Sequence, residues 1–128
     1  MMKAQELRLG NWIYGTNGKP SQVTIEALTY LLAYEGIHQA TPIPLTEEIL
    51  LKAGFGEPYK GEYVLEFKTE FQSIFYIRYI LDDNTIVMSI KYMIDSYETF
   101  SVPNDIYYVH QLQNLFFFLT ETELTITI

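Results

Sequence analysis

Cysteine is missing from this 128-residue chain. That removes disulfides, thiolate nucleophiles and thiolate metal sites together, and it is compatible with a reducing compartment. Histidine is nearly missing: His38 and His110 are the only two, too few for a multi-histidine metal centre within one chain. A site of one histidine with carboxylates has no spacing to point to it. Basic residues are scarce, eight against sixteen acidic, for a formal charge of −8. A surface of that sign repels phosphate backbones and anionic lipid, so no nucleic acid is expected as a partner. Residues 1–8 lack the apolar stretch of a secretory leader, and no later apolar run reaches the roughly 18–20 residues that a membrane span needs. The expectation is a cytoplasmic protein with no membrane association.

Motifs that carry a mechanism are missing too. There is no Gly-rich phosphate loop followed by Lys-Ser/Thr, no dinucleotide fingerprint, no His-Glu-x-x-His, no calcium loop and no Gly-x-Ser-x-Gly elbow. No catalytic, cofactor-binding or metal-ligating residue is assigned, and the chain is expected to be non-enzymatic and free of cofactors. Glu47 and Glu48 are not an acid/base pair: neighbours on a helix point about 100° apart, and both fit the first turn of a helix capped by Thr46. His38, in a loop-like stretch, reads as a solvated side chain.

What the chain does have is apolar material. It is 48% hydrophobic and 16% aromatic, with eleven Tyr and eight Phe, which excludes disorder and supplies one domain with a sizeable core. The strongest pattern lies between Asp105 and Thr120. At helical spacing, Tyr108, Val109, Leu112, Leu115, Phe116 and Leu119 form a core-facing stripe. Burial of each large side chain contributes roughly 1.5–3 kcal/mol, enough to outweigh modest helix propensity.

Upstream, Leu7–Tyr14 reads as a strand with an irregularity at Gly10 and Asn11, then a turn over 15–20 and a second short strand at Gln22–Ile25. Trp12, the only tryptophan, fits a core anchor for this hairpin. Ile25–Glu35 is expected as a helix closed by Gly36, with a strand continuing through Leu28 as the competing reading. Thr41–Leu45 must be extended because of its prolines, and a short helix after Thr46 should end at Gly54 or Gly56. From Glu62 to Ile94 the alternation predicts a three-stranded antiparallel meander, with Asp82–Asn84 as a tight turn. Ile74–Leu81 is apolar on both sides and calls for a second covering layer, either the N-terminal elements or another subunit. Asp95–Asn104 reads as a loop, Asn104 or Asp105 as the cap of the last helix if Ile106–Tyr108 does not begin as a strand, and Leu124, Ile126 and Ile128 as a terminal edge strand.

Three stretches, Leu-Arg-Leu-Gly-Asn-Trp (7–12), Pro-Ile-Pro-Leu-Thr-Glu-Glu (42–48) and Tyr-Val-His-Gln-Leu-Gln-Asn-Leu (108–115), resemble an uncharacterised family of small proteins found in Bacteroidetes genomes and in their phages and prophages. The resemblance implies a source and no activity, cofactor or site residue. Relatives carry Gly at the position of Glu121 and a small residue at that of Phe118. The helix end at Glu121 is therefore expected to lack a glycine-type left-handed cap.

The fold class that follows is α+β: an antiparallel meander packed on a C-terminal helix, with a small N-terminal hairpin-and-helix lobe. Residues 1–128 form one domain, in which a lobe over 1–56 is distinguishable from the sheet and helix over 57–128. His110, Gln113, Asn114 and Phe117 form a second stripe on the last helix. Two readings of it compete: hydrogen bonds that fasten the helix to neighbouring loops, and a candidate partner-binding surface with an aromatic anchor. The function expected is non-enzymatic protein binding, with the partner's identity open and self-association as a further option. The alternative is a small-molecule-binding domain or small enzyme with a tyrosine-walled pocket between the lobes, containing His110 or a carboxylate.

Overall fold

A computed structural model describes residues 3–34, 40–68, 74–80, 85–93, 96–101 and 106–128. The fold is α+β and divides into two compact units, one made of Met1–Leu45 with Tyr107–Leu124, the other of Thr46–Ile106 with Thr125–Ile128.

The first unit is built from both ends of the sequence. After a 3-10 turn at Ala4–Glu6, strand β1 (Trp12–Tyr14) pairs antiparallel with β2 (Pro20–Gln22) on one side and β3 (Thr41–Pro42) on the other. The expected strand from Leu7 is thus shortened. Arg8 to Asn11 instead make a turn, closed by Asn11 N–H donating to Arg8 O at 3.1 Å and Arg8 N–H donating to Asn11 Oδ1 at 2.7 Å. Gly10 sits in it at φ +87°, a conformation that L side chains resist. The second strand lies earlier than expected, because Thr24 is already the cap of helix α1 (Ile25–Ala33), its hydroxyl accepting from Ala27 N–H at 3.1 Å. Gly36 and His38 lie outside the described residues. Ala4, Leu7, Ile13, Val23, Leu31 and Ala40 form a core cluster, with Leu28 packed against it. Trp12 is only half-buried, so Ile13 and not Trp12 is the inward anchor of β1.

The C-terminal helix, here α3 (Val109–Thr120), belongs to this unit. The expected division at 56/57 had grouped the helix with the meander. Backbone ties join it to the first unit: Val109 N–H donates to Ile43 O and Leu45 N–H to Tyr107 O, both at 2.9 Å, beside a bridge between Pro44 and Tyr108. The proline-rich stretch thus holds the helix start. Tyr108 is the N-cap, and Gln111 Oε1 accepts from the N–H groups of Tyr107 (2.9 Å) and Tyr108 (3.1 Å). Asn104 and Asp105 lie outside the described residues. At its other end, Glu121 takes the left-handed conformation at φ +57° and donates to Phe117 O at 2.7 Å. A left-handed cap therefore forms without glycine, contrary to expectation.

The second unit opens with α2 (Glu47–Lys52), capped by Thr46 Oγ1 accepting from Ile49 N–H at 3.3 Å, with Glu48 and Lys52 paired at 2.9 Å. A five-stranded antiparallel meander follows in sequence order: β4 (Gly56–Tyr59), β5 (Glu62–Lys68), β6 (Ile74–Ile80), β7 (Thr85–Met93) and β8 (Ser96–Ser101). The three expected strands are present and two more flank them. Pro58 and two polar turns hid β4, which as an edge strand tolerates a proline; the polar residues of β8 made it read as a loop. Leu50, Tyr63, Ile77 and Tyr79 are buried, and the Tyr79 hydroxyl donates to Ile106 O at 2.6 Å. The turn expected at Asp82–Asn84 lies outside the described residues. The chain end forms no strand: Leu124 and Ile126 are buried without regular structure.

Candidate functional site

Helix α3 buries Val109, His110, Leu112, Gln113 and Phe116, while Leu115 and Leu119 are only partly covered. Compared with the apolar stripe, the buried face is turned by roughly a quarter of a revolution. The cause is polar, and it lies in the N-terminal segment.

Gln113, 2% exposed, accepts from Trp12 N–H at 2.8 Å and donates to Gly10 O at 3.3 Å. Asn114 Oδ1 accepts from Asn11 Nδ2 and from Arg8 Nε, both at 2.9 Å, and its own Nδ2 donates to Glu6 O at 2.8 Å. Asn11 is itself fully buried. These two amides satisfy backbone and side-chain groups of residues 6–12, which lets polar side chains sit inside without the cost of roughly 1–3 kcal/mol per unpaired group. The Leu-Arg-Leu-Gly-Asn-Trp stretch and the Gln-Leu-Gln-Asn stretch are thus bonded to each other. His110 and Gln113 are buried, and the hydrogen bonds of Gln113 and Asn114 favour the fastening reading for those two; Asn114 is partly exposed and also lines a groove beside Phe117.

His110 is the exception within the set. It is 1% exposed, its ring lies parallel to that of Tyr108 at 6.0 Å between centroids, and neither ring nitrogen has a hydrogen-bond partner among the described residues. Nε2 stands 3.5 Å from Glu6 Oε2, within ion-pair range but long for a hydrogen bond. Burial pushes the imidazole below its ordinary pKa, and the nearby Glu6 carboxylate opposes this only in part.

Phe117 is the most exposed member of the stripe. The Arg8 guanidinium lies over its ring, 4.3 Å from the centroid, and is held there by Glu123 at 2.5 Å. Beside it Phe118 is 82% exposed. Phe117, Phe118, Leu7, Arg8, Glu6 and Glu121 line most of a shallow groove of about 410 Å³. Its apolar centre and two carboxylates suit an apolar side chain accompanied by a positive charge. Periodicity flagged Phe117 and placed Phe118 on its flank, whereas Arg8 carried no sequence signal.

A larger hollow of about 740 Å³ lies elsewhere in the first unit, between the β1–β2 hairpin and α1, and His110 does not line it. No cluster of three or more His, Asp or Glu among the described residues could hold a metal ion, and none of the helices described is long and apolar enough to cross a membrane. Comparison with protein-family models, with curated proteins and with solved structures finds no match.

Proposed function

We propose that the chain is a non-enzymatic, cytoplasmic binding protein of phage or prophage origin, which holds a protein partner at the Phe117–Phe118 edge of α3. The observation that carries this reading is the exposure of Phe118 next to Phe117 and its Arg8 lid, at the mouth of a groove bordered by Glu6 and Glu121. A large aromatic held in water by a well-capped helix gains little for the monomer, and such residues are typical anchors of interfaces. The partner segment this edge suits carries an aliphatic or aromatic side chain next to Lys or Arg, since the protein has a net charge of −8.

The test is a photo-crosslinking residue at position 118, expressed in the native host. A discrete adduct should form there, fail to form from exposed position 29 on α1, and disappear when Glu6→Lys and Glu121→Lys reverse the border charges. Identical adduct patterns from the two positions remove the groove as a docking edge.

A further inference from the structure

The hollow between the hairpin and α1 has a construction that the partner-binding edge does not explain. Its floor is apolar, made by Ile13, Val23, Leu31 and Ala40, all buried, with Ala27 of α1 as a side wall. Its rim is polar but uncharged: Thr16, Asn17, Ser21, Gln22 and Tyr30 contribute hydroxyls and amides. Among the described lining residues there is no Asp, Glu, Lys or Arg, in a chain where 19% of residues are charged.

Gly15 stands at the mouth. It is not in the left-handed region, so its backbone does not require glycine. Space there is tight: a Cβ would meet Ser21 Oγ at 3.2 Å and Asn17 Oδ1 at 3.3 Å, so these side chains would have to give by a few tenths of an ångström. Asn17 Oδ1 is engaged by Lys19 N–H at 3.0 Å, but the Thr16 and Ser21 hydroxyls make no hydrogen bond among the described residues. The Tyr30 ring, half-exposed, lies against Tyr34 at 4.8 Å between centroids and stands as an aromatic wall at the rim.

We infer that this hollow is a binding site for an uncharged small molecule with an aromatic or aliphatic body and a hydroxyl or amide head. The volume is in the range of small-molecule sites, roughly 300–1,000 Å³. The body covers the floor residues, and the head bonds to Ser21 and Thr16. The described lining disfavours charge, because a carboxylate, phosphate or ammonium brought there would lose water and gain no counter-ion from these residues. This site is independent of the Phe117–Phe118 edge.

The test uses the full chain, labelled with nitrogen-15, and two probes of nearly equal shape, 2-naphthol and 2-naphthoate. Saturable amide shifts are expected with 2-naphthol at Gly15, Ser21, Ala27 and Tyr30, with at least tenfold weaker binding of 2-naphthoate. Ala27→Trp fills the hollow from the helix side and should abolish those shifts. Ser21→Trp blocks the mouth from an exposed position on an edge strand, should do the same, and guards against a folding defect in the first variant. Equal affinity for the two probes, shifts confined to Phe117 and Phe118, or unchanged binding in a folded variant would each overturn the assignment.

Discussion

The two units are held in different ways. In the second, each strand of the meander pairs with the strand next to it in sequence, and a ladder such as Glu62–Lys68 against Ile74–Ile80 repeats one backbone pattern for seven residues. In the first, the decisive bonds join positions more than a hundred residues apart, Arg8 and Asn11 to Asn114, Gly10 and Trp12 to Gln113. The meander uses generic backbone pairing that many sequences could supply. The first unit uses specific amides, so single side chains there should matter far more.

The sharpest way to break that contrast is Gln113→Ala. It removes the acceptor for Trp12 N–H and the donor to Gly10 O from a buried site, and should cost about 3 kcal/mol. Trp12, the only tryptophan, lies in this unit, so its fluorescence in a urea titration reads the loss directly. A shift below about 1 kcal/mol would show that the long-range amides are dispensable.

Tyr79→Phe is the matching change in the second unit, deleting the buried hydroxyl bond to Ile106 O. About 1.5 kcal/mol is expected, seen as earlier loss of the far-ultraviolet strand signal with the Trp12 transition in place. If both signals move together, the units unfold as one and the comparison describes bonding style, not separate stability. Gly10→Ala should cost about 1 kcal/mol in the Trp12 transition. Nothing lies within 4 Å of a Cβ there, so the penalty is conformational alone. Glu121→Gly should run the other way and stabilise by about 0.5–1 kcal/mol, since it relieves the one non-glycine residue described in the left-handed region. A higher melting temperature checks it.

The same contrast explains what could be read from the sequence. Period-two alternation exposed β5 and β7, and a short apolar run exposed β6, because each strand's pattern is contained in its own residues; β4, with Gly56 and Pro58, and the polar β8 lacked either signal. The existence and end of α3 were legible at helical spacing, and Thr46 was legible as a cap; Thr24, read as part of a strand, was not. Which face of α3 turns inward was not. Leu112, Leu115 and Leu119 argued for one side, but Gln113 and Asn114 are drawn in by donors and acceptors of residues 6–12, and nothing local to the helix announces those partners. Arg8 and Phe118 were missed as parts of one groove for the same reason. Two distant stretches meet at α3: 7–12 through Gln113 and Asn114, and 42–45 through the backbone of Tyr107 and Val109. Their shared physical task is to bring the chain's two ends together.

The last test is read on acidification, because it concerns a buried polar side chain of that assembly whose ring nitrogens have no hydrogen-bond partner among the described residues. His110 has a folded-state pKa below its ordinary value, with burial as the main cause and Glu6 opposing it. Above about pH 6.5 the ring is neutral in both folded and unfolded chains and contributes nothing to the pH dependence. As pH falls through the unfolded value, the unfolded chain takes up the proton first, so stability declines until the folded value is passed and then levels off. The Trp12 transition should therefore soften from pH 6.5 downward, and His110→Leu should remove that part of the slope while leaving any contribution of His38. An unchanged slope in His110→Leu would mean that Glu6, now 3.5 Å from Nε2, closes in to pair fully with a charged ring. The buried histidine would then be a proton-tolerant joint between residue 6 and α3, and no longer the weak point of the first unit.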